Sequence, residues 1–161
     1  MKKTILVQIA LMLRSATCLA SVESKTWEAS EEAKQFVQDT IVLGMLASPY
    51  GTGWTDYQQL HDYFQLARDN GITGHEMTLT AASMNFDDLL EQHYHFRSAM
   101  AEQPQNFIVV NETRDIEAAH VQGKTAVIWN SQTATILSDD LKKMALLKDL
   151  GIKSMILAYN D

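Results

Sequence analysis

Gly123-Lys-Thr-Ala-Val-Ile-Trp-Asn-Ser-Gln132, then a loop and an amphipathic helix, then Lys153-Ser-Met-Ile-Leu-Ala-Tyr-Asn-Asp161, decide the fold class. Two apolar runs flanking a helix form a βαβ unit, and such units place their chemistry at the carboxyl ends of the strands. Gln132 and Tyr159–Asp161 stand at two such ends. In the helix between them, over 138–150, Leu141, Met144, Leu147 and Leu150 make one apolar stripe while Lys142, Lys143 and Asp149 lie elsewhere. That is the pattern of a helix covering a sheet.

Towards the N-terminus the same cycle repeats. Residues 27–38 read as a leading helix with Trp27, Ala33, Phe36 and Val37 on one side. Thr40–Ala47 is an unbroken apolar run, the mark of a strand buried on both faces. Pro49, Gly51 and Gly53 punctuate a loop, after which Tyr57, Leu60, Phe64 and Ala67 recur at helical spacing until Asn70-Gly71. Strands follow over 72–79, 107–110, 125–129 and 152–158, and helices over 85–102 and 113–122. Five strands and four connecting helices in alternation fit a doubly wound sheet or the opening five-eighths of a (β/α)8 barrel. A barrel normally needs about 250 residues, so a 161-residue chain would leave its first and last strands unpaired.

With 46% apolar residues the chain can build a core. The formal net charge is −7, and Lys2, Lys3 and Arg14 precede every acidic residue, so the body is more acidic still. An acidic body repels phosphate backbones, which argues against nucleic acid as a partner. Lys2-Lys3, the apolar stretch Ile5–Leu13 and Cys18-Leu19-Ala20 have the layout of a signal peptide over residues 1–20 and imply export. Ser15 stands where lipid attachment at Cys18 would want a leucine-like residue. The apolar stretch is too short to span a bilayer. Cleavage after Ala20 would leave no cysteine, and hence neither a disulfide nor a thiol nucleophile.

Several short motifs fail on physical grounds. Gly123-Lys124-Thr125 has Ala118 in place of a phosphate loop's first glycine, and it leads into a strand instead of a helix. Gly51-Thr-Gly53 lacks a third glycine, and no Gly-x-Ser-x-Gly elbow is present. His93 and His95 diverge by about 200° on a helix and cannot share a metal, whereas Glu91 and His95 share a face as an ordinary polar pair. His75 and Glu76 begin a strand on opposite faces, so either could point into a barrel and both could be ordinary strand residues.

The stretch Gly123–Asp161 resembles the membrane (renal) dipeptidase family of zinc peptidases. The matching segments are Ala126-Val-Ile-Trp129, Gln132-Thr133, Leu150-Gly-Ile-Lys153 and Leu157-Ala-Tyr-Asn160, aligned without a gap. Phe36-Val-Gln-Asp-Thr-Ile-Val-Leu43 is similar to the family's lead into its first strand. The resemblance implies a partial (β/α)8 barrel over residues 39–161, zinc as cofactor and a dipeptide as substrate. It also puts the departures on the chemistry. The family's first-strand His-x-Asp metal ligands fall on Leu46 and Ser48, and its metal-bridging glutamate falls on Gln132. Zinc needs three or four N, O or S donors, so the resemblance implies a dipeptidase-like protein with a depleted metal site and an incomplete barrel.

A second expectation is a non-catalytic module that binds a peptide or small molecule at the strand ends. Tyr50, Trp54, Trp129, Gln132, Tyr159 and Asn160 would then supply aromatic walls and neutral hydrogen-bonding groups. A third is an enzyme completed by self-association through open strand edges.

Overall fold

The computed structural model describes residues 28–47, 57–81 and 83–158. Among these residues five helices and five parallel strands alternate: α1 (Glu31–Gln38), β1 (Leu43–Ala47), α2 (Tyr57–Asp69), β2 (Gly74–Thr78), α3 (Phe86–Ala101), β3 (Phe107–Val109), α4 (Thr113–Gln122), β4 (Thr125–Ser131), α5 (Lys143–Asp149) and β5 (Ile152–Met155). The expected α/β class and parallel sheet are present. The expected signal peptide lies outside the described residues, as do Trp27, Ser48, Tyr50, Trp54, Tyr159 and Asn160.

Local chemistry sets the element ends. Asn85 caps α3 by accepting from the amides of Asp87 and Asp88 at 2.8 and 3.1 Å, while Asp88 accepts from the Asn85 amide at 2.8 Å. This reciprocal box satisfies N–H groups that a helix start leaves open. Gly123 closes α4 at φ 63°, a left-handed conformation that costs glycine little. At the start of α4, Asp115 accepts from the amides of Asn111 and Glu112, both at 2.8 Å, and those bonds hold its carboxyl below the usual range.

The strand order is β1-β2-β4, with β3 and β5 both paired to β4. Alternation shows how one strand takes three neighbours. The even residues Ala126 and Asn130 bond towards β2, through Thr73 and Leu79. The odd residues bond the other way: Thr125 and Val127 to the β3 side, Ser131 to Ile156 beyond β5. So β3 and β5 share one edge of β4, β3 beside its first residues and β5 beside its last. Only three residues long, β3 is a short side-strand, and β1, β2, β4 and β5 form the continuous run.

Registered partners put His75, Met77, Val127 and Trp129 on one face of the sheet. Leu60 and Phe64 of α2 and Phe96 and Met100 of α3 cover that face in the main core. Leu147 of α5 joins Leu89, Ile136 and Leu137 beside it, with Ile152 and Met155 of β5 packed against them. The helical stripe over 138–150 is realised only in part. The helix begins only at Lys143, some residues after a 3-10 turn (Thr135–Leu137), and Leu141 and Met144 are exposed. Helix α4 lies on the opposite, inner face, where Ala119 and Ile116 meet Val110, Ala126 and Ile128 at the amino-terminal end of β4.

The expectation that the first strand is buried on both faces is corrected. Met45 is 60% and Leu46 68% exposed. Three steps along β1 oppose two along β2, from Gly44↔His75 to Ala47↔Met77, and this bulge extrudes both side chains. The strand is apolar because its other residues pack: Gly44 lies so close to the His75 ring that a Cβ there would sit 2.7 Å from Nδ1.

Candidate functional site

The inner face changes character along the strands. Nearest the amino ends stand Gly74 and Ala126, so close that a Cβ on Gly74 would lie 2.6 Å from the Ala126 carbonyl oxygen. One layer up, Glu76 is level with Ile128, and Ser154 of β5 reaches across to donate its hydroxyl to Glu76 Oε1. The next layer pairs Thr78 with Asn130. Both are buried, and neither Thr78 Oγ1 nor Asn130 Oδ1 has a hydrogen-bond partner among the described residues. Buried polar atoms are nearly always bonded, so an orphaned pair at one level marks a place where a further polar group belongs.

Above this layer a hydroxyl network fixes the turn after β4. Thr80 Oγ1 lies 2.8 Å from Ser131 Oγ and accepts from the Gln132 amide at 3.0 Å. Ser131 Oγ donates to the Thr133 carbonyl at 2.9 Å, and Thr133 Oγ1 lies 2.7 Å from Thr135 Oγ1. Ser131 and Thr80 are fully buried, so the backbone at Gln132 is held in one place at the carboxyl end of the sheet. Gln132 itself is half-buried there. The arrangement can bind peptide or carboxyl groups through neutral donors and acceptors, with Glu76 as its acid one layer below.

Its fit to a zinc ion is poor. Among the described residues no three His, Cys, Asp or Glu side chains gather where they could hold a metal. The donors at these strand ends are hydroxyls and amides, and Leu46 presents an exposed alkyl group. Zinc in proteins takes imidazole, thiolate or carboxylate donors, and of these the described inner layers offer the Glu76 carboxylate.

The histidines lie elsewhere. His75 faces the helices, with its ring centroid 5.3 Å from both Tyr63 and Phe64. Glu76 is therefore the member of that pair which points inward. His93 is buried on the helix side against Trp129, at 5.6 Å between centroids. Burial holds both imidazoles below their ordinary range. Trp129, expected to line the strand-end pocket, is 1% exposed on the helix-facing side of β4 within the main core. It is one residue out of phase with the inner face, since successive strand residues point to opposite sides.

Sequence reading passed over Thr78, Asn130 and Ser154. The signal was there in alternation: Ile128 and Asn130 share a face of β4, and Glu76 and Thr78 share one of β2. Recognising them as one surface required the register between the strands. At the opposite, amino-terminal end a cavity of about 280 Å³ opens beside Arg68, His120 and Lys124. There Arg68 donates to Thr125 Oγ1 at 2.6 Å, a tie between α2 and β4, and to Gln65 Oε1 of its own helix at 2.7 Å.

Comparison with known proteins bears on this geometry. The family model of the membrane dipeptidases (peptidase family M19) matches residues 42–161. No curated protein matches the chain. Among solved structures, an amidohydrolase from Pseudomonas aeruginosa aligns at TM-score 0.66 and 22% identity, covering 78% of this chain and 36% of that one. The probable dipeptidase PvdM from the same organism aligns at 0.61 and 13%, covering 81% and 38%. A metallo peptidase from Rhodobacter sphaeroides, liganded with a phosphinate mimic of the dipeptide L-Ala-D-Ala, aligns at 0.53 and 12%, covering 72% and 45%. The chain thus spans less than half the length of these structures, and at such identities they establish the fold, a partial TIM-type barrel.

Proposed function

Because this chain belongs to the membrane dipeptidase family, we propose that it supplies the amino-terminal strand ends of a dipeptide-hydrolysing barrel and has little hydrolytic activity by itself. The observation that carries this reading is the donor set. The inner layers offer Thr78, Asn130 and Gln132, with Glu76 beneath, where metal-assisted hydrolysis would need several imidazoles and carboxylates around one or two cations. A family-type reaction at this site thus depends on donors beyond those described. What these residues can do is hold a dipeptide. Asn130 Oδ1 accepts from an ammonium or peptide N–H, and Thr78 Oγ1 donates to a carbonyl or carboxylate. The mimic of L-Ala-D-Ala bound by the Rhodobacter protein supports a ligand of that class.

We infer two further properties of the chain. Residues 1–20 act as an export signal, on the charge and apolar pattern already given. The edges of β1 and β5, each paired on one side among the described residues, support self-association. No described helix is long and apolar enough to cross a membrane.

The test is an assay of purified residues 1–161 on simple dipeptides, with and without added zinc. Zinc-dependent cleavage at enzymatic rates would overturn the proposal. The expected result is no turnover, with a dipeptide-dependent rise in melting temperature that Asn130→Leu abolishes.

A further inference from the structure

The notch that β3 and β5 leave along their shared edge of β4 is a second candidate site, on the helix side and separate from the strand ends. It forms a cleft of about 350 Å³ lined by His93 and Arg97 of α3, Phe107 and Asn111 around β3, Trp129 of β4 and Asp149 of α5, among others. At its floor lie two buried polar atoms without a hydrogen-bond partner among the described residues, Trp129 Nε1 and His93 Nε2. Their residues are 1% and 4% exposed. Both residues line the cleft, and their rings meet edge to face with centroids 5.6 Å apart.

Their chemistry is complementary. The indole N–H can only donate. The His93 ring is hydrogen-bonded to the Leu150 backbone, a bond that favours its protonated nitrogen, while burial and the nearby Arg97 charge oppose a second proton. Because Nε2 has no partner among the described residues, that bond falls to Nδ1, and in the Nδ1-protonated neutral form Nε2 is an acceptor. A hydroxyl oxygen has the chemistry for both, accepting from an indole N–H and donating to an imidazole nitrogen. A carbonyl or an ammonium satisfies only one of them.

The walls restrict the rest of the ligand. Phe107, Val109 and Met100 offer apolar surface for a short alkyl segment. Arg97 stands exposed at the rim and is absent from the described ion pairs, which join Lys34 to Glu31, His61 to Asp62 and Arg114 to Glu112. Its guanidinium suits a carboxylate, and Asp149 on the same cleft disfavours a more highly charged anion such as a phosphate dianion. We propose that this cleft binds a small, singly charged hydroxy acid, its hydroxyl bridging Trp129 Nε1 and His93 Nε2 and its carboxylate meeting Arg97.

The competing occupant of the floor is an ordered water, which makes the same two bonds. A titration separates them. In the full chain carrying Trp27→Phe and Trp54→Phe, Trp129 is the single indole, and its N–H resonance reports on the cleft. L-lactate should shift that resonance saturably, and propionate, which lacks the hydroxyl, should bind at least tenfold more weakly. Arg97→Gln, an exposed substitution, should weaken lactate at least fivefold without lowering the melting temperature. If lactate causes no saturable shift, or if propionate matches it, the floor is a water site and the proposal is overturned. Equal lactate affinity in Arg97→Gln would remove the carboxylate assignment and overturn it in the form given.

Discussion

Two glycines show how different physical demands produce the same residue type. Gly74 is required by packing: a methyl group there meets the Ala126 carbonyl oxygen at 2.6 Å, and a paired strand backbone cannot give way. Gly123 is required by conformation, with φ 63° and nothing within 4 Å of a Cβ. Gly74→Ala should therefore lose about 1–3 kcal/mol or more of stability in urea unfolding, as overpacked cores do. Gly123→Ala should lose about 1–2 kcal/mol, with Gly123→Asn costing less because asparagine tolerates the left-handed region. Equal losses for alanine and asparagine at 123 would contradict the conformational explanation. The buried imidazoles set a pH dependence. His75 and His93 have folded-state pKa values lowered by burial, so below the unfolded value of about 6.5 the unfolded chain binds more protons. Their effect on stability is absent above that value and destabilising as pH falls through it. The melting temperature should hold between pH 8 and 7 and decline from about 6.5 towards 5, above the range where carboxylates titrate. His75→Phe, which keeps an aromatic ring against Tyr63 and Phe64, should flatten that decline. An unchanged profile would show that His75 contributes nothing to it.

At the level of elements, the Asn85 cap is the clearest local determinant, and Asn85→Ala should cost about 1 kcal/mol of stability while Asn85→Asp costs far less. Chemical denaturation of the two variants checks this, and a loss no larger for alanine than for aspartate would remove the cap from the account. Punctuation of this kind is why element boundaries were legible. Asn85, Gly71 and Gly123 act within a few residues, and α4 begins and ends where Thr113 and Gln122 were expected. The apolar run at 40–47 misled because a run counts apolar residues without saying which are covered. The bulge at β1 turns Met45 and Leu46 outward, and only pairing with β2 creates it. Trp129 misled for a related reason. Its place in the strand was right, but the face it takes depends on phase, which Val127 and Met77 fix by packing on the helices. The carboxyl-end location of the candidate site was legible from the βαβ order. Its residues Thr78 and Asn130 were not, since they are far apart in sequence and become neighbours only through the register of β2 and β4.

For the whole molecule, the decisive property is the imbalance between the two faces of the sheet. The helix-facing side is filled by the main core, whereas the inner face is covered by α4 near the amino ends, and Met45, Leu46, Ile156 and Leu157 are exposed among the described residues. Apolar side chains beside a one-sided strand edge favour association, and nothing charged protrudes from β1 to prevent it, since its five residues are Leu, Gly, Met, Leu and Ala. The net charge of −7 acts against this, because two copies repel over roughly a Debye length, which falls from about 30 Å at 0.01 M salt to about 3 Å at 1 M. Salt therefore weakens the repulsion while leaving apolar attraction in place. The sedimentation coefficient should rise with sodium chloride between low and molar concentrations. In Met45→Lys/Leu46→Lys the rise should disappear, because two lysines at an exposed edge make pairing costly without touching the core. Since both positions are more than half exposed, the double variant should keep its melting temperature, which separates lost association from lost folding. A wild-type chain that sediments as a monomer at every salt concentration would show that these edges do not drive self-association.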